Sequence, residues 1–153
     1  MKQLLIVSNS PAASALQIQQ AIARGAQDQQ ISGVRVIVKE PLSAGVEDVI
    51  NADGMLLGST ENFGYMAGLI KDFLERIYYS VLEQKQGMPY ALFIKAGQDG
   101  QGAVSSMQRV ITGLRWKEIH PPIVCTGKVD DEFLEKSYEL GMTMAAGLEA
   151  EIY

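Results

Sequence analysis

Gly54-Met55-Leu56-Leu57-Gly58-Ser59-Thr60-Glu61-Asn62-Phe63-Gly64-Tyr65-Met66-Ala67-Gly68-Leu69-Ile70-Lys71-Asp72-Phe73-Leu74-Glu75-Arg76 changes its hydrophobic period midway. The run 54–58 is continuously apolar and bounded by glycine, the pattern of a short strand buried on both faces. From Leu69 onward the period becomes helical: Leu69, Ile70, Phe73, Leu74, Ile77, Val81 and Leu82 recur at i, i+3 and i+4 and lay one apolar stripe along a long helix. Asp72 with Arg76 and Lys71 with Glu75 flank that stripe as i,i+4 pairs of a solvated face, and carry no functional meaning. A buried strand, a polar loop and an amphipathic helix, in that order, make the repeating unit of an α/β protein.

The same unit recurs on either side. Apolar runs that read as strands lie at 3–8 (QLLIVS), 33–39 (GVRVIVK), 54–58 (GMLLG), 90–96 (YALFIKA) and 117–125 (KEIHPPIVC). Between them Ile18, Ala21 and Ile22 space one helix, 45–51 supplies a short second one, and Val104, Met107, Ile111 and Leu114 space a fourth. Phe133, Ser137, Leu140, Met144 and Leu148 space the last, with Asp130 as its expected N-cap. Right-handed crossovers leave few arrangements for such a chain. The one expected is an α/β fold with a five-stranded parallel sheet of order 2-1-3-4-5 and helices on both faces, in a single domain over 1–153. In that order the chain reverses its direction of growth between strands 1 and 3, which opens a crevice at their carboxyl ends. The loops after strands 1, 3 and 4 line it.

Composition agrees with this and excludes other classes. Of 153 residues 47% are hydrophobic and 20% charged, as in a folded globular chain rather than a disordered one. Thirteen basic against 18 acidic residues give a net charge of −5, which argues against a general grip on nucleic acid. One cysteine, Cys125, and one histidine, His120, make neither a disulfide nor an ordinary zinc site. The N-terminal apolar run, Leu4-Leu5-Ile6-Val7, is too short for a signal sequence or a membrane span, so a cytoplasmic protein is expected.

The loop after the first strand, Ser8-Asn9-Ser10-Pro11-Ala12-Ala13-Ser14, is rich in small hydroxyl residues where a helix begins. A helix N-terminus carries unpaired N–H groups and about half a positive charge, so a phosphate can sit there without Lys or Arg. An ordinary helix cap would use the same residues. The loop lacks the glycines of both the dinucleotide fingerprint and the Walker motif. A phospho-acceptor receiver would need an acidic residue at the end of strand 3, where Ser59 stands. The loop 59–68 offers backbone polar groups and aromatics to a planar heterocycle, or else Phe63 and Tyr65 simply tuck beneath it. Gly97-Gln98-Asp99-Gly100-Gln101-Gly102 allows a close backbone approach to a ring edge, or forms a flexible turn.

Taken together, these loops resemble the flavodoxin-like flavoproteins. The likeness is greatest to the flavodoxin-fold NAD(P)H-dependent oxidoreductases that include the tryptophan-repressor-binding-protein group of quinone reductases. The residues that carry it are Gly58 to Arg76, similar to that group's G-[ST]-P-T-x-F-G-x-M-x-G-x-[ML]-K-x-F-x-[DE]-R, with departures at Thr60 for Pro and Glu61 for Thr. Ser10 and Ser14 are similar to the ends of the group's S-x-x-x-[ST] phosphate loop. The resemblance implies non-covalent FMN, its phosphate held by Ser8, Asn9, Ser10, Ala13 and Ser14. It also implies a ring lying against Thr60, Glu61, Asn62, Phe63 and Gly64 on one side and Lys95, Ala96, Gly97, Gln98 and Gly100 on the other. Lys95 either stabilises charge near flavin N1 and C2=O or snorkels to water.

By the same likeness the expected activity is FMN-dependent reduction of a quinone or similar small acceptor by NAD(P)H, with flavin-borne chemistry and no catalytic side chain. Electron-carrier members place an aromatic and acidic residues over the flavin in the third loop, whereas Gln98 and Gly100 leave that face open. The alternative is a flavodoxin-type electron-transfer protein docking on a redox partner, and a third is a flavin-free interaction module. Phe63, Tyr65, Tyr78 and Tyr79 are candidates for a homo-oligomer surface.

Overall fold

A computed structural model describes all 153 residues. Strands β1 (Lys2–Ser8), β2 (Val34–Lys39), β3 (Gly54–Asn62), β4 (Tyr65–Met66), β5 (Pro89–Ala96), β6 (Lys117–Glu118) and β7 (Ile123–Thr126) alternate with helices α1 (Ala13–Ala26), α2 (Val46–Asn51), α3 (Gly68–Val81), α4 (Gln101–Leu114) and α5 (Asp131–Glu149). One sheet runs β2-β1-β3-β5-β6, with β7 also on β5 and β4 on β3. Every pairing is parallel except β3–β4.

Why the strands read as unbroken apolar runs is visible in their side chains. Successive residues of a strand point to opposite faces, and here each face has its own core. Leu5, Val7, Met55, Leu57 and Leu92 join α3 and α4 residues such as Phe73, Ile77 and Met107 in one cluster. Leu4, Ile6, Leu56 and Phe93 join Ile18, Ile22, Leu140 and Met144 of α1 and α5 in the other. Burial on both faces leaves no polar positions to alternate with. Helices α1 and α5 pack so closely that a Cβ on Gly25 would run into the Tyr138 carbonyl and one on Gly141 into that of Ile22.

Three expectations change. The sheet has seven strands rather than five, although its long members keep the doubly wound sequence of crossovers. The expected fifth strand, 117–125, is two: β6 and β7 both pair with β5, interrupted at His120-Pro121-Pro122. Proline has no N–H to give a ladder, so two in a row break it. His120 therefore lies in the break, its Nδ1 2.7 Å from the Pro121 carbonyl oxygen. The third strand does not stop at Gly58 but runs on to Asn62.

Arg76 also does more than face water. Its Nε donates to Asp72 Oδ2 at 2.7 Å, while its two terminal nitrogens donate to the carbonyls of Ala44 (2.9 Å) and Pro41 (2.8 Å). One guanidinium thus ties α3 to the β2–α2 connection. Asp130 caps α5 as expected, accepting from Phe133 N at 2.9 Å. No helix is long and apolar enough to cross a membrane.

Candidate functional site

At the carboxyl ends of β1, β3 and β5 the three connecting segments meet. The first turns from β1 into α1, whose N-cap is Ala12, a residue with no side-chain oxygen. No side chain caps this helix, so an ordinary cap does not explain the serines of the loop. The Ser10 hydroxyl is buried without a hydrogen-bond partner. A buried hydroxyl left unpaired costs about 1–3 kcal/mol, which makes it conspicuous in a folded chain. Ser14 sits half-buried in the first turn and Ala13 is exposed. Ser8, by contrast, is buried and accepts from Gln19 Nε2 at 2.7 Å.

Asn9 reaches across to β3. Its Oδ1 accepts from Thr60 N at 3.1 Å and its Nδ2 donates to Thr60 Oγ1 at 2.9 Å, a reciprocal pair between residues 51 apart in sequence. Thr60 Oγ1 donates in turn to Asn62 Oδ1 at 3.1 Å. Asn9, Thr60 and Asn62 are thereby braced against one another, fixing the first loop to the second.

The second segment is no open loop. Glu61 pairs with Met66 and Asn62 with Tyr65 in an antiparallel hairpin closed by Phe63 and Gly64 alone. Both turn residues have positive φ, 54° and 69°, as a two-residue type I′ hairpin requires. Glycine adopts such angles freely; phenylalanine does so at a cost of roughly 1–2 kcal/mol. The Phe63 ring does not tuck under anything. It is fully exposed at the hairpin tip, so both its backbone and its apolar surface are held at a cost to the fold. Phe63→Asn is therefore expected to stabilise the ligand-free protein by about 1 kcal/mol in urea unfolding.

The hairpin is clamped to the start of α4. Glu61 Oε2 accepts from Ala103 N at 3.1 Å, and Met66 N donates to Ser106 Oγ at 3.1 Å. Gly102 lies so close that a Cβ there would collide with the Gly64 carbonyl. Within the third segment Gly100 has φ 74° and its Cβ position is closed by Val124, so this glycine is required by the fold. At Gly97 an added Cβ meets nothing within 4 Å.

Between hairpin and third segment lies a cleft of about 440 Å³, walled by Glu61, Phe63 and Gly64 on one side and Gly97, Gln98 and Asp99 on the other. Its size falls in the roughly 300–1,000 Å³ range of small-molecule sites. The structure thus brings five of the expected ring-side residues together. Ala96 and Gly100 are buried instead. Lys95 projects elsewhere, beside Ser8, Asn9 and Phe93 beneath the first loop. There its charge acts on Cys125, whose thiol is pushed up mainly by burial, with Lys95 pulling it down.

Asp99 and Gly102 were missed as wall residues by the sequence reading. Asp99 Oδ1 accepts from Gln101 N at 3.1 Å, and an Asp two residues before such an amide is a recognisable turn signal. No signal in the sequence announces the contact of Gly102 with Gly64.

No family model matches the chain, and no curated protein does. Solved structures do match. A flavodoxin from the domain Archaea superposes with a TM-score of 0.79 at 18% identity, covering 95% of this chain and 98% of that one. A WrbA-like flavodoxin from Agrobacterium tumefaciens gives 0.79 at 11%, covering 99% of each. The rubredoxin oxygen:oxidoreductase of Desulfovibrio gigas gives 0.82 at 15%, covering 99% of this chain but 37% of that larger one. The chain has the flavodoxin-like α/β fold.

Proposed function

We propose that the chain binds FMN non-covalently and uses it to pass electrons from NAD(P)H to a quinone or similar small acceptor. The observation that carries this reading is the pairing of an unpartnered, buried Ser10 hydroxyl with an uncapped helix N-terminus, one hairpin away from an open cleft. Phosphate chemistry suits the first feature: the amides of Ala13 and Ser14 and the hydroxyls of Ser10 and Ser14 supply donors, and the dipole of α1 supplies the charge. A planar ring suits the second, with Phe63 as an aromatic wall and Gly97 leaving room for backbone approach. The structural neighbours named as flavodoxins and as an oxygen:oxidoreductase support a redox role.

When bound, FMN supplies two-electron chemistry that no side chain here provides. The protein's own part is positional. Asn9 and Thr60 hold the phosphate loop and the hairpin strand at a fixed separation, and the Glu61–Ala103 bond holds the hairpin against α4. Preorganised walls lower the ordering cost of ligand capture. The Phe63 ring, exposed in the free protein, loses its unfavourable exposure on contact with a planar ligand.

The test is to load the purified protein with FMN, record its visible spectrum, and add NADH or NADPH without oxygen. A bound flavin band that bleaches on addition, and returns on addition of a quinone, is expected. A bound flavin that neither nucleotide reduces would make the chain an electron carrier, and failure to bind FMN at all would overturn the reading.

A further inference from the structure

Among the helices that begin at this end of the sheet, α1 and α4 have their N-termini treated in opposite ways. The first amides of α1 meet no side-chain oxygen. Those of α4 meet two carboxylates: Gln101 N donates to Asp99 Oδ1 and Ala103 N to Glu61 Oε2, each at 3.1 Å. Glu61 and Asp99 are also walls of the 440 Å³ cleft, and neither Lys nor Arg is among its walls. A helix N-terminus contributes about half a positive charge, set here against two full negative ones. The cleft is therefore negative, whereas the α1 end keeps the helix's half positive charge uncapped, with Glu40 as the one carboxylate in the pocket that Ser10 lines.

We infer that Glu61 and Asp99 are charge-specificity residues, which admit neutral or cationic planar acceptors to the cleft and exclude those bearing a sulfonate or carboxylate. The inference rests on the proposed FMN-dependent reductase and names the substrate class of that site. The same polarity favours the FMN phosphate at the α1 end over the carboxylate-lined cleft. Glu61 occupies a position where the resembled motif has Thr, so this negative wall belongs to the chain's own sequence. Because both carboxylates are fixed by backbone amides, they cannot swing away from an incoming anion without uncapping α4.

The experiment uses FMN-loaded, oxidised protein with no reductant, and measures equilibrium binding of 1,4-naphthoquinone and of its 2-sulfonate by titration calorimetry. At low ionic strength the neutral ring is expected to bind at least about tenfold more tightly than the sulfonate, a difference of about 1.4 kcal/mol. Added salt narrows the gap by screening. Glu61→Gln combined with Asp99→Asn keeps an amide oxygen for each α4 amide and should bring the two affinities within about threefold. Equal affinities in the unaltered protein, or a gap that persists in the double variant, would overturn the inference while leaving FMN binding intact. A protein that fails to load FMN overturns both readings at once.

Discussion

The double variant Ser10→Ala/Ser14→Ala is expected to lose about 3–6 kcal/mol of FMN binding, at about 1.5–3 kcal/mol for each hydrogen bond to a charged group. That is roughly a 10²–10⁴-fold rise in Kd, readable by flavin fluorescence titration. Stability without ligand should move the other way. The Ser10 hydroxyl is buried without a partner, so its removal relieves a polar group that the fold leaves unpaired. Urea unfolding of the ligand-free variant should therefore show a midpoint equal to or above that of the unaltered protein. Opposite signs on binding and stability separate a phosphate cradle from a structural turn, for which both quantities would fall together. Unchanged FMN affinity would refute the assignment of these hydroxyls.

Gly102→Ala is expected to cost about 2–3 kcal/mol of stability, because the added methyl group meets backbone atoms of Gly64 and no rotamer change can move them aside. The hairpin must lift from α4, which strains the Glu61–Ala103 and Met66–Ser106 bonds and opens the cleft wall. A lowered urea midpoint together with weakened FMN binding is the expected pair of results; an unaltered midpoint would mean that the hairpin yields easily. Gly97→Val provides the contrast. Open space surrounds Gly97, so the variant should fold with an unchanged midpoint yet block the ring from the cleft and purify without yellow colour after FMN loading. Full retention of colour would remove Gly97 from the site.

The consequences for the proposed site follow from where its charges sit. Net charge over the whole chain is −5, a modest value that says little about docking. What distinguishes the proposed site is local: one helix end without a side-chain cap and a second closed by carboxylates, on the same rim of the sheet.

Much of this was legible in the amino-acid sequence, and for identifiable reasons. Runs such as Leu4-Leu5-Ile6-Val7 name a strand covered on both faces because each neighbour needs its own core, and the spacing of Phe73, Leu74 and Ile77 names the helix that covers one of them. The break at Pro121-Pro122, which divides the expected strand 117–125, was also present in the letters, but the apolar residues around it, Ile119 and Ile123, outweigh the missing N–H in a reading by pattern. The extension of β3 to Asn62 was hidden because Ser59, Thr60, Glu61 and Asn62 break the apolar run and only Thr60 among them favours a strand; they are held extended by pairing with β5 and with β4.

Local pattern alone determined the α/β class, the two-sided burial of the sheet and the loops that follow its strands, since each follows from residues within a few positions of one another. Only the folded chain decided which polar groups are spent and which are free: Asn9 on Thr60 at 51 residues' distance, Glu61 on Ala103 at 42, Ser10 on nothing. Hydrogen bonds over such separations exist only once strands and helices have set the distance between their partners, and periodicity along a chain carries no information about that distance.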